Sequence, residues 1–144
     1  MKDEITEIML ADSIFTEGDK NTYYISFENK EFKNILMSLN DKMMIARTYE
    51  ITDQELDHIK KIIIDNNMIK WANYEEDIEE ESNINSNLYI YTTNNNYIIS
   101  QIKKISKKEA KVFNDLEKYI KSIVKEEKFL YEEKNSKEKL NIQE

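Results

Sequence analysis

The chain has 144 residues, a length that predicts one globular domain. It is acidic, because 35% of its residues are charged and its formal net charge is −8. It contains no cysteine and a single glycine, which excludes disulfides, thiolate metal sites, a glycine-rich phosphate loop and a Gly-x-Ser-x-Gly nucleophile elbow. Its beginning lacks the basic and apolar regions of a secretory signal, and no apolar run approaches the roughly 20 residues of a membrane span, so we predict a cytoplasmic protein that binds no membrane.

The first elements are predicted to be short and extended. Residues 4–11 could be a first strand, but their β-branched and apolar residues also fit a helical turn, and the sequence leaves that choice open. Residues 13–17 and 22–28 are typical of a β-hairpin whose turn contains Gly18, the only glycine. Alternation along the second of these strands places Tyr24 on the face opposite to its apolar neighbours.

A helix and a strand are predicted next. Asn29 is a suitable cap for a helix over residues 30–40. Apolar residues recur there at the i, i+3, i+4 and i+7 spacing of one helical face. They are Phe32, Ile35, Leu36 and Leu39. Residues 43–51 predict the next strand.

Two capping boxes mark the starts of the clearest helices. In the segment 52–55 the threonine hydroxyl accepts from the backbone N–H of the glutamate, and the glutamate carboxylate reaches back to the threonine N–H. This helix is predicted to end at residues 66–67, because asparagine tolerates a left-handed exit. The segment 106–109 is a second capping box, and the helix that it begins is predicted to run for about 25 residues, through Leu130.

Between these helices, residues 87–93 and 97–102 predict a hairpin, since the asparagines between them tolerate the positive φ of a tight turn. The strands come in clusters rather than alternating singly with helices, which favours an α+β fold over a doubly wound parallel sheet. We expect one domain over residues 1–132, an antiparallel sheet with about three helices packed on it in the order β-β-β-α-β-α-β-β-α. The polar residues 133–144 are predicted to fray as a tail.

Catalytic groups are sparse. Glu55 and His58 have the Glu-x-x-His spacing of di-iron bundles, but that design needs two such motifs and the chain has one histidine. The run at residues 75–81 contains six acids, but it lacks the alternation and the glycine of a calcium loop. We therefore predict no catalytic residue, no metal and no cofactor.

Charge is distributed unevenly along the chain. Residues 1–102 carry 9 basic and 20 acidic side chains. Because nucleic-acid affinity comes mostly from clustered Lys and Arg, this balance predicts no nucleic-acid binding. Residues 103–139 carry 12 lysines and 8 acids of alternating sign, which is typical of a solvated helix face.

Recognition of a protein partner with a basic surface is the remaining prediction, because aromatic anchors supply affinity and acidic groups steer association. The predicted partner-binding residues are aromatic and acidic residues of the segment 71–81 and two tyrosines of the following hairpin. They are Trp71, Tyr74, Glu75, Glu76, Asp77, Glu79, Glu80, Glu81, Tyr89 and Tyr91. A core position for Trp71 and a solvated loop for the acids are the competing interpretations.

These patterns together predict a non-enzymatic, acidic protein-binding domain. An inhibitor of the toxin-immunity or phage anti-defence type fits its small size and acidity, and the abundance of Ile, Lys and Asn indicates an AT-rich genome, bacterial or phage. Two alternatives from other classes stay open. One is a metal-dependent hydrolase using carboxylates of residues 75–81, and the other is a structural subunit of a homo-oligomer.

Overall fold

A computed structural model describes residues 4–12, 18–38, 43–71, 86–99, 106–124 and 129–136. Within these ranges the chain forms a single sheet of seven antiparallel strands and three helices. The elements in chain order are β1 (Ile5–Asp12), β2 (Lys20–Ser26), β3 (Glu31–Ser38), β4 (Met43–Tyr49), α1 (Asp53–Asp65), α2 (Met68–Trp71), β5 (Ser86–Thr92), β6 (Asn96–Ile99), α3 (Lys107–Ile123) and β7 (Phe129–Ser136).

The strands lie in the order β6-β5-β1-β2-β3-β4-β7. Strands β1 to β4 form a meander in which each strand pairs with the next. The hairpin β5–β6 adds to one side of this meander by pairing with β1, and β7 adds to the other side by pairing with β4. The first strand is therefore internal, and the two edges are formed by β6 and β7.

One face of the sheet is covered by α1 and α3, and we call it the helix face. It carries alternate strand residues with no or almost no exposed surface, among them Ile8, Ile25, Phe32, Leu88 and Ile90. Both long helices contribute their apolar stripes to the same core cluster. These stripes are Leu56, Ile59 and Ile63 of α1 and Phe113, Leu116 and Ile120 of α3. Burial of these residues is the main stabilising term, at roughly 1.5–3 kcal/mol for each large apolar side chain.

Both predicted capping boxes are confirmed. The Glu55 N–H donates to Thr52 Oγ1 at 3.1 Å, and the Thr52 N–H donates to Glu55 Oε1 at 2.9 Å. Ser106 and Glu109 make the same reciprocal pair at 3.1 and 2.9 Å. Past the end of α1, Asn67 adopts a φ of 53°, the left-handed conformation expected there.

The predicted helix over residues 30–40 is wrong, because residues 31–38 form β3. A turn precedes the strand: the Asn29 N–H donates to Ser26 Oγ at 3.1 Å, and Lys30 has a φ of 53°. β3 then pairs with β2 on one side and β4 on the other, so its backbone groups are satisfied by the sheet. Apolar residues on both faces of this strand had imitated helical spacing.

The third helix is shorter than predicted. It ends at Ile123, and its cap residue Val124 has extended backbone angles, φ −72° and ψ 115°. Phe129, predicted to lie in the helix, instead begins β7 and packs against the core cluster beside β4. Because β7 continues to Ser136, residues 133–136 of the predicted tail belong to the sheet, and residues 137–144 lie outside the described ranges.

Several other predictions agree with the structure in part. The open choice for residues 4–11 is decided in favour of a strand. The predicted hairpin of residues 87–93 and 97–102 is confirmed as β5–β6 within the described residues 86–99, and residues 100–102 lie outside them. The strand predicted at 13–17 lies outside the described residues, and β2 pairs with β1. An antiparallel sheet with three helices is consistent with the α+β class, but the element order is β-β-β-β-α-α-β-β-α-β instead of the predicted one.

None of the described helices combines the length and the apolar composition needed to cross a membrane.

Candidate protein-binding surface

The second face of the sheet carries no packed layer among the residues that the structure describes, and we call it the open face. The alternation is clearest in β5, where Leu88 and Ile90 are buried against the helices while Tyr89 and Tyr91 are half-exposed on the opposite side. Similar half-exposed positions recur in the neighbouring strands, as at Met9 in β1. An antiparallel sheet normally presents polar residues on a solvated face. The open face departs from that pattern in its aromatic and apolar content.

Strand register brings the aromatic residues of the open face into one band. Met9 lies opposite Tyr89 of β5 on one side and opposite Tyr24 of β2 on the other. Ile98 of the edge strand β6 lies opposite Tyr89 and is 49% exposed. Cross-strand neighbours of this kind have Cβ atoms about 4.5–5.5 Å apart, so the side chains form a contiguous surface. We call this set, together with Tyr91, the tyrosine band.

The tyrosine band lies beside carboxylates. Glu7 is opposite Tyr91, and burial followed by hydrogen bonding to Glu7 raises the pKa of Tyr24. The Tyr24 hydroxyl is therefore neutral at pH 7 and acts as a donor to that carboxylate. Glu31 is paired with Lys33 at 2.8 Å, whereas Glu7 has no ion pair within the described part of the chain. Hence Glu7 is an acidic group at the border of an aromatic surface.

The hairpin that supplies most of the band is itself uncharged. Residues 86–99 contain no Asp, Glu, Lys or Arg in a chain that is 35% charged. Depletion of charge with enrichment in tyrosine is the composition found at the buried centre of protein–protein interfaces. Each tyrosine side chain offers a partner an apolar ring and a polar hydroxyl.

No protein-family model, curated protein or solved structure matches this chain. No relative therefore suggests a function, and the surface chemistry is the basis for a proposal.

The structure separates the sequence-predicted site residues into three groups. Trp71 ends α2 inside the core cluster with 3% of its surface exposed, so it is a core residue and is not available as a surface anchor. Tyr89 and Tyr91 lie together on the open face. The six acids and Tyr74 lie outside the described residues, between Trp71 and Ser86, the first residue of β5.

Sequence reasoning missed three members of the tyrosine band, namely Met9, Tyr24 and Ile98. Alternation along residues 22–28 had placed Tyr24 on the face opposite to the apolar set, which was the available signal. Local sequence patterns could not predict that β1 lies between β2 and β5. That strand order is what brings these side chains next to one another.

A separate polar cluster lies on the helix face near the start of β5. The Ser86 hydroxyl donates to Glu117 Oε2 of α3 at 2.5 Å, and Lys121 approaches the other carboxylate oxygen at 3.6 Å. Burial, followed by the charges of Asp12 and Glu117, raises the pKa of Tyr23 to about 12. The cluster ties α3 to the sheet.

Among the described residues, no group of three or more His, Asp or Glu is arranged to hold a metal ion.

Proposed function

We propose that this protein is a non-enzymatic binding domain that docks a protein with a basic surface on the open face, centred on the tyrosine band. The observation that carries the proposal is the half-exposed group of Tyr24, Tyr89 and Tyr91 on a sheet face with no described covering layer. Tyrosine is among the residue types that dominate binding energy at interfaces, because it buries much apolar area and retains a hydroxyl for hydrogen bonding.

Charge supports a basic partner. The chain carries a net charge of −8, and its densest acidic run, residues 75–81, precedes β5, whose tyrosines form part of the band. Glu7 adds a carboxylate next to Tyr91. Acidic groups on a binding protein speed encounter with a positive surface and disfavour acidic competitors. An inhibitor that occupies a basic groove of its target is one protein class with these properties.

The test separates recognition by the band from attraction by charge alone. The full chain is immobilised and exposed to a lysate at about 0.15 M salt, alongside the double variant Tyr89→Ala/Tyr91→Ala and the triple variant Glu79→Lys/Glu80→Lys/Glu81→Lys. Retention of each on a polylysine resin measures the charge contribution. Tyr119→Ala, a change of the same type at a half-buried position of α3, is the matched control.

The proposal expects a partner that binds the native chain and the Tyr119→Ala control but not the double variant, although the double variant still binds polylysine. The charge-reversed variant should bind neither the partner nor polylysine. Circular dichroism verifies that each variant is folded. A partner captured equally by the double variant, or one unaffected by about 1 M salt, would refute docking at the tyrosine band by a basic protein.

The edge strand β7 favours a second candidate, a homo-oligomeric subunit. Leu130 is 69% and Tyr131 62% exposed on a strand whose outer side has no partner within the described ranges. Exposed apolar side chains on an edge strand are suited to pairing with the same strand of a second copy. Light scattering distinguishes the two: a dimeric mass that becomes monomeric in Leu130→Lys supports self-association, and a monomeric native chain excludes it.

A further inference from the structure

The half of the open face formed by β3 and β4 lies beyond the tyrosine band and is aliphatic. Its apolar residues occupy alternate positions of the two strands, on the face opposite to the core. They are Ile35, Met37, Met44 and Ala46. Ile35 lies opposite Ala46 and Met37 lies opposite Met44, so the four side chains are contiguous. We call them the methionine patch.

The methionine patch belongs to no packed layer of the described part of the chain. Each of its residues is half-buried, and none is a member of the core cluster between the sheet and the helices. Methionine is enriched in protein–protein interfaces, and its flexible thioether adapts to an irregular partner surface. Covering the patch is therefore favourable, because half-exposed apolar side chains leave water.

Charges of opposite sign lie on the two sides of the methionine patch. Lys20 of β2 flanks it on one side and Glu133 of β7 flanks it on the other. The patch itself is uncharged, and its neighbour along β3, Lys33, is paired with Glu31 at 2.8 Å. This balance differs from the net charge of −8 of the whole chain. The patch is therefore a place where two copies of this acidic chain can meet with little charge repulsion.

We propose that the methionine patch is the contact surface of a homodimer in which the open faces of two copies pack together. A two-fold axis parallel to the strands, between β3 and β4, places Met37 of each copy over Met44 of the other. The same axis places β2 over β7 of the second copy, so that Lys20 comes near Glu133. Sheets of the same twist pack face to face at about 10 Å, with their strands within about 30° of one another. The patch is thus complementary to itself in apolar content and in charge.

The overlap of the two copies is close to the minimum for a specific interface. It covers the four strands β2, β3, β4 and β7, each of seven or eight residues. At about 4.8 Å between strands and about 3.3 Å per residue, the overlap measures roughly 19 by roughly 23 Å. That is roughly 900 Å² of flat area for two copies, against the roughly 1,000 Å² that a specific interface requires. We therefore expect a reversible dimer with a dissociation constant in the micromolar range.

Most of the tyrosine band stays accessible in this dimer, because β1, β5 and β6 lie outside the overlap. The proposal therefore does not rest on the function proposed for the band. It shares self-association with the second candidate above, but it uses the face of the sheet instead of the outer side of β7.

Methionine methyl groups distinguish the surfaces of the native protein. Isotope-labelled methyl signals of the full chain are recorded by NMR from about 10 μM to about 1 mM, and light scattering gives the molar mass of the same samples. We expect Met37 and Met44 to shift together as the mass rises towards that of a dimer. Met68 in the core, Met43 on the opposite face of β4 and Met9 of the tyrosine band should not shift.

Two neighbouring substitutions in β4 form a matched pair. Met44→Lys places a charge in the proposed contact, whereas Met43→Lys adds the same charge to the other face of the same strand. Met44→Lys should weaken dimerisation by at least about tenfold, because a buried ammonium without a partner is costly, and Met43→Lys should leave it unchanged. Raising the salt concentration from about 0.1 to about 0.5 M should strengthen the native dimer, because the repulsion between two chains of net charge −8 is screened.

The methyl shifts are measured on the native chain, so they decide the question even if Met44→Lys does not fold. A monomeric mass at about 1 mM, shifts of Met9 in place of the patch, or equal weakening by Met43→Lys would each overturn the proposal. Dissociation by Leu130→Lys with Met44→Lys unchanged would overturn it in favour of pairing at the β7 edge. A monomeric chain would leave the docking proposed for the tyrosine band intact.

Discussion

Replacing Trp71 with alanine tests whether this residue anchors the core or a partner. The side chain is 97% buried in the core cluster, as its 3% exposure shows. An aromatic side chain buries about 150–250 Å², which at about 25 cal/mol per Å² corresponds to roughly 4–6 kcal/mol. The unfolded chain already buries part of its apolar surface, which lowers this free energy by about 10–40%. We therefore expect Trp71→Ala to lower the free energy of unfolding by roughly 3–5 kcal/mol.

The free energy of unfolding is measured by urea titration followed by far-UV circular dichroism, since the variant lacks the only tryptophan of the chain. With a slope of about 2 kcal/mol per M, the midpoint should fall by roughly 2 M. Ile64→Ala is the control, because Ile64 lies on the neighbouring helix α1 with 56% of its surface exposed and should change stability by less than about 0.5 kcal/mol.

Fluorescence of the native chain gives an independent measurement. A buried Trp71 should be protected from acrylamide quenching until urea unfolds the protein, and addition of a partner should leave its emission unchanged. A loss of stability below about 1 kcal/mol in Trp71→Ala would refute the assignment to the core. Strong quenching in the folded state would refute it as well and would restore Trp71 as a surface anchor.

Three further predictions concern the caps, pH and the open face. Ser106→Ala should destabilise by about 1 kcal/mol in urea titrations, because the Glu109 N–H loses its acceptor; an unchanged midpoint would contradict that role. The pKa of Tyr23 is raised from 10.0 to about 12, so above pH 10 the unfolded chain releases this proton first and stability should fall as pH rises through that window. Tyr23→Phe should show a shallower decline between these pH values, and an identical decline would assign the loss to other groups. Ile98→Lys, at a 49% exposed position, should change stability by less than about 0.5 kcal/mol but should abolish partner capture if the tyrosine band is the interface.

Elements with local signals were predictable from the sequence. The capping boxes at Thr52 and Ser106 provide hydrogen-bond acceptors for backbone N–H groups of the first helical turn within four residues of sequence. Distant contacts are therefore not needed to define where these helices begin. The same holds for the hairpin β5–β6, where alternation and a polar turn occur within one short segment. In these parts of the chain, local preference and tertiary packing agree.

Elements defined by distant partners were not predictable. β3 contains the consecutive apolar residues Ile35, Leu36 and Met37, which cover both faces of a strand and also fit a helix. β7 is polar beyond Tyr131, and it is a strand because it pairs with β4, as in the contact of Glu132 with Arg47 at a separation of 85 residues. No local pattern encodes such a pairing.

The candidate sites follow the same division. Tyr89 and Tyr91 could be selected from the alternation of one strand, whereas their neighbours Met9 and Tyr24 required the sheet order.

The position of β7 has a consequence for synthesis of the protein. β4 ends at Tyr49 and its partner β7 ends at Ser136, so at about 5–20 residues per second a ribosome needs roughly 4–17 seconds to make the second strand after the first. During that interval the β4 edge, which begins with Met43 and Met44, offers unpaired backbone groups and apolar side chains to other chains. Translation speed and chaperone supply should therefore influence the yield of this protein, and deletion of residues 129–144 should leave the β4 edge without β7 in the finished chain and increase aggregation.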